Sequence, residues 1–155
     1  MASTVQSQTL KVTLTEEIVL NGTNYLSSNV INIPSIGEIT KRVVGVTTTE
    51  ATILNFSTAI GAGTYITGNV RYLRIRNLDD TNHVVLTFKD ENNTEFKLKL
   101  DIGQSFIYNV DLDNGLTDTM IAAGSAAGST LADLSDITAQ ADTAACDIEI
   151  FIAST

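Results

Sequence analysis

NVRYLRIRNLDDTNHVVLTFKDENNTEFKLKL, residues Asn69 to Leu100, decides the fold. Leu73 and Ile75 alternate with Tyr72, Arg74 and Arg76. After a polar break, Val84, Leu86 and Phe88 alternate with Val85, Thr87 and Lys89. After a second break, Phe96, Leu98 and Leu100 alternate with Glu95, Lys97 and Lys99. A period of two places successive side chains on opposite faces of a strand, so each run reads as a strand with one buried face. The break between the first two runs holds Asp79, Asp80, Asn82 and His83, the only histidine of the chain. Asp and Asn tolerate turn dihedrals and accept backbone N–H groups, so the segment reads as a turn. One histidine beside two adjacent aspartates has no recognised metal-ligand spacing.

The same alternation extends outward. Leu10, Val12 and Leu14 begin a strand that continues through Ile18–Leu20 to Asn21-Gly22, a tight-turn dipeptide. Val30–Ile33, Ile39–Val46 and Thr52–Phe56 read as further strands, separated by Pro34, Gly37 and the Thr47–Glu50 connection. Gly61–Gly68 (GAGTYITG) lacks the spacing and lysine of a phosphate loop and reads as a bend. Phe106, Tyr108 and Val110 form another alternating run, and Cys146–Ile152 is a strand with Cys146, Ile148, Ile150 and Ile152 on one face. A hairpin through Ala141–Ala145 is expected to join that strand to the Ala-, Gly- and Ser-rich segment before it. Short strands with regular turns predict an all-β, antiparallel, jelly-roll-like sandwich with little or no helix. Its expected core is Leu73, Ile75, Val84, Leu86, Phe88, Phe96, Leu98, Ile148 and Ile150. The expected organisation is an N-terminal arm over residues 1–9 and one sandwich domain over 10–155.

At 155 residues the chain can bury an ordinary core without staples, and one cysteine rules out an internal disulfide. A formal charge of -9 argues against nucleic acid as a partner, because phosphate contacts require a basic footprint. The cations are unevenly spread: Arg71, Arg74, Arg76, Lys89, Lys97 and Lys99 are six of the nine. Tyr72, Arg74, Arg76, Lys97 and Lys99 are therefore the candidate partner-binding residues, facing an acidic protein surface or pairing across strands with carboxylates such as Asp147 and Glu149. MASTVQSQTL has neither a basic nor an apolar leader region and no apolar run approaches 18 residues, so synthesis in the cytosol without a membrane span is the expectation.

Chemistry-bearing patterns are sparse. Asp111–Gly115 (DLDNG) opens like a calcium loop, but its glycine falls at the fifth position and Ala122 stands where a bidentate glutamate belongs. Asp90, Glu91, Asp111 and Asp113 remain the acidic side chains from which a loop-bound calcium would have to be built. Strand parity points Cys146 inward and His83 outward, against a nucleophile–base pair. Asp147 and Glu149 lie about 7 Å apart on one strand face, as on a solvated or partner-facing surface. No catalytic residue, cofactor or metal site is assigned, and the chain does not read as an enzyme.

The run from Asn69 to Asn109, with its N-L-D-D-T-N turn and GQSF strand start, together with the terminal DITAQADTAACDIEIFIAST, resembles small β-rich virion proteins of tailed bacteriophages. The resemblance covers roughly Val70–Thr155 and carries no catalytic motif. It implies a capsid decoration or cement protein that binds the major capsid protein on the outside of a phage head. A homotrimer at the local three-fold positions of the shell, with the N-terminal arm as an extended anchor, is the implied arrangement. The alternative expectation is a phage surface or fibre module that recognises a host glycan, assisted by calcium in the Asp90 or Asp111 loops.

Overall fold

The computed structural model describes residues 5–155, and the chain is all-β. Its strands are β1 (Gln8–Leu20), β2 (Thr23–Ile36), β3 (Glu38–Val46), β4 (Ala51–Ser57), β5 (Thr64–Ile66), β6 (Val70–Asn77), β7 (Val84–Asp90), β8 (Glu95–Leu100), β9 (Ser105–Asn109), β10 (Leu134–Ala141) and β11 (Cys146–Ser154). Helix among the described residues is limited to one 3-10 turn, Thr67–Asn69. Sheet order is β5-β4-β10-β7-β8 in one layer and β3-β11-β6-β9 in the other, and β1-β2 form a separate two-stranded ribbon. All strand pairs are antiparallel except β4 with β5.

The two layers meet through the apolar parities read from sequence. Leu86 of β7 stands opposite Ala139 and Leu98, and Ile150 of β11 stands opposite Ile75. Leu86, Ala139, Ile75 and Ile150, together with Leu54, Leu73, Val84, Ile137, Ile148 and Ile152, form one buried cluster. At one flank, Phe88 stacks on Phe96 at 4.7 Å between centroids and contacts Phe106 at 4.8 Å. At the opposite flank Arg42, inward on edge strand β3, donates through Nη2 to the Ile53 carbonyl of β4, so its charge ends on backbone rather than in apolar contact.

Seven of the nine expected core residues are buried. Phe96 and Leu98 are not: they keep 48% and 37% of their surface exposed. Both point inward on β8, but β8 is an edge strand, and the layer that would cover them stops at β9. The hairpin expected at Ala141–Ala145 is also absent. β10 and β11 belong to different layers, so this segment crosses the sandwich, with Ala141 N–H bonded to Thr47 O and Asp142 N–H to His83 O.

The expected arm fares differently. Residues 1–4 lie outside the described residues, and β1 already begins at Gln8, opposite Ile36. The long β1–β2 hairpin closes at Asn21 and Gly22, both with positive φ (50° and 78°), the geometry of a type I′ turn. Only its root is packed: Leu10, Val12, Ile31 and Ile33 rest on Tyr72, Phe151 and Ala153, the outer face of the β3-β11-β6-β9 sheet.

Truncating Leu86 to Ala should cost about 2–5 kcal/mol, the range for a fully buried leucine. Phe96→Ala should cost clearly less than the roughly 3–5 kcal/mol of a buried phenylalanine. Denaturant midpoints of the two variants check the pair; equal losses would contradict the half-open β8 flank.

Candidate partner-binding surfaces

The candidate residues divide between two faces. Tyr72, Arg74 and Arg76 alternate outward on β6, while Lys97 and Lys99 point outward from β8 in the other layer. The basic strip suggested by sequence is therefore two separate sets, on opposite sides of the sandwich. Parity assigns a side chain to a face of its own sheet but does not reveal which sheet a strand will join.

Tyr72 departs further from expectation, because it is buried. The ribbon root covers it, its ring meets Phe151 edge-on at 5.9 Å, and burial pushes its phenol above the ordinary range. Arg74 pairs with Glu149 on β11, which also takes Lys41 Nζ at 3.4 Å. Internal pairing thus claims Arg74. Arg76 is exposed and joins no ion pair among the described residues, although Glu149 and Ser105 flank it in the ladder. On the other face Lys97 lies 3.6 Å from Glu50 and Lys99 lies 2.8 Å from Asp101. Both pairs are about half exposed, a setting in which ion pairs contribute roughly 0–1 kcal/mol and exchange partners easily.

The acidic turns are held by their own carboxylates. Asp79 Oδ1 accepts the Thr81 and Asn82 N–H groups at 2.8 and 2.6 Å, and these bonds lower its pKa, with Asn82 the larger cause. Buried Asn77 accepts from Asp79 N–H and donates to the carbonyls of Asn82 and Leu100, fastening this turn to the end of β8. Asp111 accepts from Asp113 and Asn114, again with a lowered pKa. Asp90 is buried, and its Oδ1 takes the N–H groups of Asn92 and Thr94. Among the described residues no group of three His, Cys, Asp or Glu side chains converges as metal ligands would. His83 Nδ1 lies 3.2 Å from Asp142, whereas Cys146 Sγ approaches only backbone carbonyls, and burial raises its thiol pKa.

Two apolar surfaces lie outside these sets, and sequence reasoning missed both. One is the flank between edge strands β8 and β9, a shallow groove whose lining includes Phe96, Phe106, Ile107, Tyr108 and Met120. The other is the ribbon beyond its root. Leu14, Ile18 and Leu20 share the β1 face of Leu10 and Val12, and Tyr25 stands opposite Ile18. The root of this face is buried on the chain's own sheet, but from Leu14 outward it is exposed. The signal is the alternation from Leu10 to Leu20, interrupted on that face by Glu16 and on the other by Val19.

No protein-family model and no curated protein matches the chain. A solved chain of Bacillus endospore appendages, described as a novel family of disulfide-linked pili, aligns over 100% of this chain and 95% of its own length, at 10% identity and a TM-score of 0.45.

Two outcomes are expected of the acidic turns. Asp90→Ala should cost about 1–3 kcal/mol, because it removes a buried carboxylate that takes two part-buried backbone N–H groups, whereas His83→Asn should stay within about 0.5 kcal/mol. Asp79, Asp101 and Asp111 are all depressed in the folded chain. Their stabilisation is present above the unfolded carboxylate pKa of about 4 and is lost as pH falls through the lower folded values. Melting temperature should accordingly hold steady from pH 7 to 5 and drop below about pH 4; a melting point unchanged down to pH 2 would refute the assignment.

Proposed function

We propose that this chain is a structural subunit of a larger particle, and specifically a capsid decoration or cement protein that binds the major capsid protein on the outside of a phage head. The observation that carries the reading is the ribbon: a sheet face that continues past the body of its own chain into solvent with Leu14, Ile18, Leu20 and Tyr25 exposed on it. A two-stranded ribbon is marginal by itself, and a long exposed apolar strand pair invites association. A subunit that spends most of its life assembled can keep such an element; a free monomer gains nothing from it.

The body supports the same reading. Its layers, β3-β11-β6-β9 against β4-β10-β7-β8 with short β5 appended, support a jelly-roll-like reading, an architecture that viral capsid proteins share with lectin domains and cupins. Arg76, exposed and without an ion pair among the described residues, is the cation on its face best placed to meet an acidic coat surface. Lys97 and Lys99 offer exchangeable charge on the other face. A closed oligomer, with a trimer as the implied stoichiometry, would let several weak capsid contacts act together. The virion is then the site of action and the host cytoplasm the site of synthesis.

Mass spectrometry of purified particles tests this. The chain should be present at a fixed integer ratio to coat protein, and Arg76→Glu should lower that ratio at physiological salt, where the Debye length is about 8 Å, without changing circular dichroism. Absence from particles, or chelator-sensitive binding on a glycan array in its place, would favour a host-recognition module and overturn the proposal.

A further inference from the structure

The ribbon and the β8–β9 flank are two unfinished surfaces on one chain, and their chemistry is complementary. The outer edge of β1 and the outer edge of β8 have no strand partner among the described residues. Each therefore presents a row of backbone donors and acceptors open to strand addition. Leu14–Leu20 of the ribbon spans about 23 Å and β8 about 20 Å at the usual strand rise of about 3.3 Å per residue. On β8, Phe96 and Leu98 stand half exposed on the inner side while Lys97 and Lys99 stand on the outer side. On β1, Leu14, Ile18 and Leu20 share one side with Glu16, with Tyr25 and the small polar Thr23, Ser27 and Asn29 opposite them on β2, while Thr15, Glu17 and Val19 share the other side.

We propose that the distal ribbon of one copy adds as a strand pair to β8 of a second copy. Its apolar face then covers the flank groove, and Glu17 lies beside Lys97 and Lys99. The apolar contact continues an interface that already exists, since the same ribbon face is buried at its root on the chain's own sheet.

Charge decides between this arrangement and the simpler pairings. Lysines on an edge strand repel an identical strand, so two β8 edges do not pair with each other. Two ribbon faces packed together would bring Glu16 of each copy into one apolar layer. A ribbon on the flank avoids the first conflict and halves the second: Glu17 meets lysine, and a single Glu16 enters the contact, at a groove whose lining includes Tyr108. Since the ribbon of one copy meets a different surface of the next, the contact is head-to-tail and generates a ring or an open chain. The capsid reading is not needed for this inference, although closure into a ring would supply the oligomer that reading calls for.

Light scattering on the purified full chain during size exclusion tests the proposal. The wild type should run as a multiple of its 16.6 kDa mass, and Ile18→Asp should return it to monomer with unchanged circular dichroism. Glu17→Lys and Lys97→Glu should each weaken association by about tenfold, and the double variant should restore it. A wild type that is monomeric at every concentration reached, or an oligomer indifferent to Ile18→Asp, would overturn the proposal. Failure of the double variant to restore association would overturn the assignment of β8 as the acceptor. A chain that associates in this way yet is missing from particles would sink the capsid reading alone.

Discussion

Both layers of the sandwich depend on strands that come last in sequence. β10 lies between β4 and β7, and β11 lies between β3 and β6, so each supplies a ladder on both its edges. Without β10, the β7-β8 hairpin loses its link to β4; without β11, β3 loses its link to β6. Ile137, Ala139, Ile148, Ile150 and Ile152, all fully buried, are what the two layers close upon. The cost of ordering the rest of the chain is recovered only when these residues arrive, which makes the sandwich cooperative and slow to fold among domains of its size. The C-terminus is itself held, with Thr155 N–H bonded to Asn69 O and Gly37 N–H to Ser154 O.

Much of this was legible in the sequence because strand parity is a local property. The alternations at Leu73–Ile75, Val84–Phe88 and Ile148–Ile152 placed the core, Asn21-Gly22 placed the hairpin, and the aspartates before His83 placed a turn. What parity could not supply was the identity of the neighbour. Phe96 and Leu98 point inward as expected, yet nothing in a five-residue window states that the opposite layer ends beside them. Arg76 and Lys97 look alike in sequence and lie on opposite faces, because β6 and β8 join different sheets. Ala141–Ala145 has the small residues of a hairpin turn, but the same residues serve a crossover when the flanking strands find partners elsewhere. Parity points Tyr72 outward, correctly for its sheet, and the residue is buried because a distant ribbon lies on that face.

The edges show how selectively the chain protects itself. β3 turns Arg42 inward, β8 carries Lys97 and Lys99, and β5 is only three residues long. Each of these discourages stray pairing in a recognised way. The ribbon is protected more thinly: β1 and β2 run 13 and 14 residues with one proline, Pro34, near the root, and its charges are Lys11, Glu16 and Glu17 of β1, with none on β2. A long, lightly protected edge beside better protected ones is a difference of purpose within a single chain.

The ribbon precedes the strands of the body in sequence, which also sets an order in time. Its contacts are local and its turn is preformed, so it can close within microseconds once Ile36 has left the ribosome. The strands that complete the body are still untranslated then, and at roughly 5–20 residues per second they follow on the order of ten seconds later. For that interval the nascent chain offers an apolar hairpin blade that closes and reopens, since a two-stranded ribbon is marginal without the body beneath it. Neighbouring ribosomes on one message would carry many such blades close together. Glu16 and Glu17, one on each face of the outer half of β1, keep one blade from stacking on another and are then a safeguard during synthesis as much as a feature of the mature subunit.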